Sequence, residues 1–129
     1  MNSAKAIIIK DNKILMTKLC VNNKFIWALP GGRIEDGETA EAALKRELIE
    51  ELGAEIKIIR LLGEYHFFRE FDGKRVDCKG YECILSTPED ELVIEKQTLE
   101  LKWVPLMNIS KFAPQKIEFE KLINKIKFD

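Results

Sequence analysis

Cysteine is scarce in this chain, and the three present, Cys20, Cys78 and Cys83, form no C-x-x-C pair. An odd number without close pairs suits neither a disulfide framework nor a four-cysteine zinc site, so reduced thiols are expected. Neither sign of charge is in excess: 21 Lys and Arg face 22 Asp and Glu, for a formal net charge of −1. Such a balance creates no broad field toward nucleic acid or an anionic membrane, and any phosphate recognition has to be local. No apolar run approaches the ~20 residues needed to cross a bilayer. The opening MNSAKAIIIK holds only a short apolar run with no small-residue cleavage site behind it, which speaks against a signal peptide. A cytoplasmic location without a membrane partner is the expectation. Internal repeats, low-complexity tracts and linkers are missing too, and residues 1–129 read as a single domain.

What is present is a mixture for a packed core: 46% apolar and 33% charged residues. Ala6 to Ile9 and Ile14 to Met16 flank the turn-forming Asp11-Asn12-Lys13 and predict an opening hairpin. Val21 to Lys24 reads as a polar loop, and Phe25 to Leu29 as a strand stopped at Pro30-Gly31-Gly32. Strands follow over Ile56 to Leu62, Tyr65 to Phe71 and Val76 to Leu85, the last two joined by a turn at Asp72-Gly73. Ser86 to Glu91 reads as an exposed loop, Leu99 to Val104 as a further strand, and Phe119, Leu122, Ile123 and Ile126 as one face of a closing helix. Strands and helices in this order predict an α/β architecture with a mixed sheet between helices.

Around residues 39–53 the pattern changes to helical. Thr39 is placed as an N-cap, Glu41 suits the first turn, and Gly53 suits the left-handed C-terminal position. Leu44, Leu48 and Leu52 recur every fourth residue and define a buried stripe. Beside that stripe lie Glu47, Glu50 and Glu51, three carboxylates at i, i+3 and i+4. Like charges at this spacing destabilise a helix unless solvent or a bound cation compensates. Hard oxygen donors of this kind select Mg²⁺ or Mn²⁺, and Mg²⁺ takes one or two carboxylates together with water and substrate phosphate.

The stretch Gly32 to Ala54 resembles the Nudix box, G-x5-E-x7-R-E-U-x-E-E-x-G-U, through Gly32, Glu38, Arg46, Glu47, Leu48, Glu50, Glu51, Gly53 and Ala54. Only Ala54 departs, being small where a larger aliphatic residue is usual, and this touches packing rather than chemistry. The lead-in Trp27 to Gly32 is similar to the family's W-x-L-P-G-G, and Trp103 to Leu106 to its late W-V-x-L strand. The resemblance implies a MutT-like Nudix hydrolase that cleaves a nucleoside diphosphate linked to another moiety, with Mg²⁺, or Mn²⁺, as cofactor. It implies Glu47, Glu50 and Glu51 as metal ligands, a carbonyl of Gly31 or Gly32 completing the shell, and Arg46 and Glu38 supporting the glutamates. Glu47, Glu51, Glu95 and Glu100 compete for the role of general base. Arg33 and Trp27 are the candidate substrate contacts, Trp27 suiting the core as well.

The ADP-ribose type in this family tends to carry a proline where Arg69 and Glu70 stand, and the diadenosine polyphosphate type a tyrosine where Phe71 and Asp72 stand. These absences leave (deoxy)nucleoside triphosphates, oxidised ones included, ahead of nucleotide sugars. A non-catalytic Nudix-fold sensor and an RNA 5′-pyrophosphohydrolase are the alternatives, the latter without support from the net charge. The oligomeric state, homodimer included, is not encoded in any pattern read here. His66, among Tyr65, Phe67 and Phe68, reads as structural, and Arg69, Lys74 and Arg75 as surface charge.

Overall fold

The computed structural model describes residues 1–69, 72–94, 98–109 and 121–126. Among them are eight strands: β1 (Asn2–Ile7), β2 (Ile9–Lys10), β3 (Lys13–Val21), β4 (Lys24–Ala28), β5 (Gly31–Arg33), β6 (Ile56–Phe68), β7 (Arg75–Leu85) and β8 (Thr98–Pro105). A helix, α1 (Ala40–Leu52), lies between β5 and β6, and residues 121–126 are helical. One sheet has the order β5-β1-β7-β6; the other joins β2, β3 and β4, with β8 pairing β3. Only the β1–β7 pairing is parallel among these ladders, which makes the first sheet mixed, as expected.

Side-chain alternation along β1 explains the layers. Ala4, Ala6 and Ile8 face α1 and pack with Leu44, Leu48 and Leu52, while Ile7 points the other way, into a cluster with Leu62, Tyr65, Cys78, Leu122 and Ile123. Two alanines under the helix allow it a close approach to the sheet. The predicted caps are both present: the Thr39 hydroxyl accepts from the Ala42 N–H at 3.1 Å, and Gly53 sits at φ 61°. The Gly53 N–H donates to the Ile49 carbonyl and the Ala54 N–H to that of Leu48, so orphan carbonyls of the last turn are satisfied.

Three expectations need correction. Pro30-Gly31-Gly32 is not a simple turn: Gly31–Arg33 forms β5, an edge strand antiparallel to β1. Val21 to Lys24 is a tight hairpin corner, with Asn22 and Asn23 both at positive φ (51° and 64°), a conformation asparagine tolerates. The two strands foreseen between Ile56 and Phe71 are one, β6, which register shifts near Arg60 and Gly63 bend without breaking. The first half of the closing helix face and the tip of the β6–β7 hairpin, with Phe119 and Phe71, lie outside the described residues. No helix among the described residues is long and apolar enough to cross a membrane.

Candidate active site

The site forms where α1 lies against the edge strand β5. An edge strand leaves every second residue's N–H and C=O unpaired. The Ala6 N–H donates to the Pro30 carbonyl and the Ile34 N–H to that of Asn2, which sets the phase of the β1–β5 ladder. By that alternation Gly32 bonds inward to Ala4, while Gly31 and Arg33 turn their backbone groups outward, toward α1. Side chains of α1 take them up. Glu51 receives a backbone hydrogen bond from Gly31, and Arg46 donates to the Arg33 carbonyl at 3.0 Å. Of the two glycines considered as metal ligands, Gly31 is the one whose backbone bonds a glutamate, while Gly32 is paired with Ala4 in the sheet.

Arg46 is the hub. It grips Glu38 with two hydrogen bonds (2.7 and 2.8 Å), and its Nη1 reaches Glu47 at 2.9 Å and Glu50 at 3.2 Å. Only a planar fork with five donors holds this many acceptors at once. The Arg46 hydrogen bonds pull the Glu38 carboxyl down to about 2, helped by the Glu35 backbone N–H that it also accepts. The same partner, Glu38, raises the Arg46 pKa further above its ordinary value. Folding thus favours ionised Glu38: its contribution to stability is complete above pH 4.5 and is lost as pH falls from there toward 2. Lysine cannot reproduce the fork. Arg46→Lys is expected to lower turnover 10- to 100-fold, the usual cost of losing a group that orients metal ligands, measured as kcat with the fold monitored by circular dichroism.

Glu51 has the opposite environment. It is only 8% exposed, although it is a carboxylate on a helix. Burial pushes its carboxyl up to about 8; the Glu47 charge and a hydrogen bond with Glu47 push the same way, against Lys5 and the Gly31 backbone. Lys5, on the central strand beside Gly31, was not foreseen, because cross-strand register carries no mark in local sequence. Gly32 makes room for Glu47: a Cβ there would stand 2.6 Å from Glu47 Cδ and 2.7 Å from its Oε2.

This arrangement fits a divalent cation. Every donor is an oxygen, two carboxylates are pressed together in a poorly solvated place, and a glycine leaves their approach open. Among the described residues no group of three or more acids, histidines or cysteines is placed so that it could hold a metal ion by itself. Mg²⁺ does not need one, since it keeps several waters and shares substrate oxygens.

The remaining candidates disperse. Arg33 is exposed on β5, its carbonyl bonded by Arg46. Trp27 lies on β4, partly buried against the cluster opposite α1. Glu100 lies on β8 of the second sheet, ion-paired with Lys18 at 3.7 Å; register places Trp27 and Glu100 on either side of Lys18. Glu95 lies outside the described residues. Gly53 acts on α1 alone, as its cap. A cavity of about 400 Å³ opens elsewhere, lined in part by Ile8, Ile84, Thr87, Glu89 and Trp103. It holds none of the box residues, so the chemistry is placed by the carboxylates and not by this hollow.

The NUDIX domain family matches residues 2–124. The chain belongs to this family. An ADP-ribose pyrophosphatase of Methanocaldococcus jannaschii is 54% identical over 61 residues, 46% of this chain and 36% of that protein. An 8-oxo-dGTP diphosphatase of Buchnera aphidicola subsp. Schizaphis graminum is 42% identical over 71 residues, 53% of this chain and 49% of that protein. The chain thus spans between about a third and a half of the length of these relatives. A NUDIX hydrolase structure from Nitrosomonas europaea superposes with a TM-score of 0.81, covering 98% of this chain and 88% of that one, at 18% identity, which is a likeness of fold.

Proposed function

We propose that this chain is a Mg²⁺-dependent Nudix hydrolase that cleaves the diphosphate of a nucleoside diphosphate derivative, with (deoxy)nucleoside triphosphates, oxidised ones included, as preferred substrates. The observation that carries the reading is the contact of Glu47, packed on Gly32, with Glu51, while Glu47 and Glu50 are held on one guanidinium. Glu47, Glu50, Glu51 and the Gly31 carbonyl are the groups that would hold Mg²⁺ or Mn²⁺; the ion supplies charge neutralisation at the diphosphate and a more acidic water. Arg46 keeps the glutamate rotamers in place while their charges are shared out. Attack of water on one phosphorus needs a proton acceptor and a leaving phosphate on the far side. We assign the acceptor to the Glu47–Glu51 pair, the two carboxyl groups that meet each other at the site. Glu100 is engaged by Lys18 on the other sheet.

The substrate preference is supported by the relative named 8-oxo-dGTP diphosphatase and by Arg69, which stands near where ADP-ribose enzymes tend to have proline; the relative named ADP-ribose pyrophosphatase makes ADP-ribose the main competitor. A panel of nucleoside triphosphates, 8-oxo-dGTP, ADP-ribose, a nucleotide sugar and triphosphorylated RNA with Mg²⁺ tests it. Fastest release of pyrophosphate and nucleoside monophosphate from a triphosphate is the expected result. Faster cleavage of ADP-ribose overturns the preference, and binding without turnover of any substrate overturns the hydrolase reading in favour of a sensor.

A further inference from the structure

β1 and β7 are the parallel pair of the first sheet, and beyond their carboxyl ends the two chains part. β1 runs on through Ile8, whose carbonyl accepts from the Leu15 N–H of β3, into β2 of the second sheet. β7 is followed by Ser86 and Thr87, which are tied to Glu55 instead: the Ser86 N–H donates to the Glu55 carbonyl at 2.8 Å, and the Thr87 hydroxyl accepts from the Glu55 N–H at 2.9 Å. Chains that diverge after a parallel pair leave a crevice, the place where open α/β sheets bind their ligands. The cavity of about 400 Å³ lies there, within the size range of small-molecule sites. Its apolar walls are Ile8, Ile84 and Leu85 from the strand ends and Trp103 from β8 of the other sheet. Ile84 is 55% exposed, so folding leaves a large aliphatic side chain bare against this space. One carboxylate is set into the lining. Glu89, half-exposed on the 3₁₀ turn Glu89–Glu91, accepts from Trp103 Nε1 at 2.5 Å and from Lys10 Nζ at 3.1 Å, one donor on each oxygen. Those donors fix the group and balance its charge, and each oxygen keeps a lone pair for a further donor.

We propose that this crevice is a second binding site, separate from the glutamates, that takes a purine base: the ring lies against Trp103 and Ile84, and its N–H edge donates to Glu89. The lining selects these properties one by one. Apolar walls and an indole favour a flat, uncharged ring, and a carboxylate that already has its counter-charge accepts neutral donors and rejects a second anion. Guanine matches best. Its N1–H and 2-amino group stand side by side on one edge and meet the two oxygens of a carboxylate together. Adenine instead sets a single amino group beside a ring acceptor, which faces a carboxylate oxygen unfavourably. No box residue lines the cavity, and a base held there needs no diphosphate. The assignment therefore stands apart from the metal reading of the glutamates.

The test is a titration of guanosine, which carries no phosphate, into the isotope-labelled full chain, read by NMR at the indole N–H signals of Trp27 and Trp103, the chain's two tryptophans. Guanosine is expected to shift the Trp103 signal saturably and to leave that of Trp27 in place. Adenosine is expected to bind about tenfold more weakly, as is guanosine to Glu89→Gln, each having lost a hydrogen bond to a charged acceptor. Ile84→Asp, at an exposed position, should abolish the shift by putting a charge into the apolar wall, with thermal melting showing that the variant is folded. A Trp103 signal that does not move, or that reports equal affinity for both nucleosides, overturns the proposal. So does a shift kept in Ile84→Asp, or one at Trp27 alone, which would place the base against the cluster opposite α1. None of these readouts requires turnover, so failure of the hydrolase reading leaves the result intact.

Discussion

Glu51→Gln is expected to abolish turnover, by at least ~10³-fold in kcat, and at the same time to make the metal-free protein more stable at pH 8. The two effects have one origin. Glu51 is buried beside Glu47, and burial raises its carboxyl from 4.5 to about 8. From pH 4.5 up to about 8 the native state keeps a proton on Glu51 that the unfolded chain releases, so stability falls as pH rises through that window and levels off above it. Glutamine removes the titration. Its amide oxygen accepts from Gly31 and its NH₂ donates to Glu47, which preserves the hydrogen bonds that Glu51 makes. The gain at pH 8 should be about 1–3 kcal/mol, seen as a higher melting temperature, and it should vanish near pH 4.5, where glutamate is neutral too. Mg²⁺ should reverse the order, stabilising wild type through binding and Glu51→Gln hardly at all. A mutant as active as wild type sinks the role assigned to Glu51; one less stable than wild type at every pH sinks the account of its burial.

This conflict between stability and chemistry explains which parts of the protein could be read from sequence. Helix α1 was legible from cap to cap, because Thr39, the Leu44-Leu48-Leu52 stripe and Gly53 act within one local period. The closeness of Arg46 to Glu47 and Glu50 was legible for the same reason, since they lie within about one turn of that helix. What lay hidden depends on pairing across strands. That Gly31–Arg33 is a strand, that its outward backbone feeds Glu51 and Arg46, and that Lys5 stands next to Gly31 all follow from the β1–β5 register. Register is set by residues far apart in the chain and leaves no periodic trace in a three-residue strand. The same holds for Glu100, whose place beside Lys18 belongs to the β3–β8 ladder. Gly31 and Gly32 were read alike as turn residues, yet they do different work.

Their alanine variants should fail in different ways. At Gly31 a Cβ would lie 2.1 Å from the Ala4 carbonyl oxygen and 2.9 Å from Lys5 Cα, both backbone, and φ is +131°. Neither contact yields without moving the central strand, and a side chain is strained at that φ in any case. Gly31→Ala is expected to cost at least ~3 kcal/mol, by combined overpacking and backbone strain, read as a lower denaturation midpoint or loss of soluble protein. At Gly32 the obstruction is the tip of a side chain, the Glu47 carboxyl carbon at 2.6 Å. That carboxylate can swing aside, so Gly32→Ala should fold with less than ~1 kcal/mol of loss. It cannot swing without leaving Arg46 Nη1 and Glu51. A displacement of about 1 Å at a reacting centre costs on the order of 10²-fold, so Gly32→Ala should be a stable protein with kcat reduced by about that factor. Urea unfolding beside steady-state kinetics distinguishes the two variants. Two equally unstable proteins, or a Gly32→Ala as fast as wild type, would mean that Glu47 is not held where β5 places it.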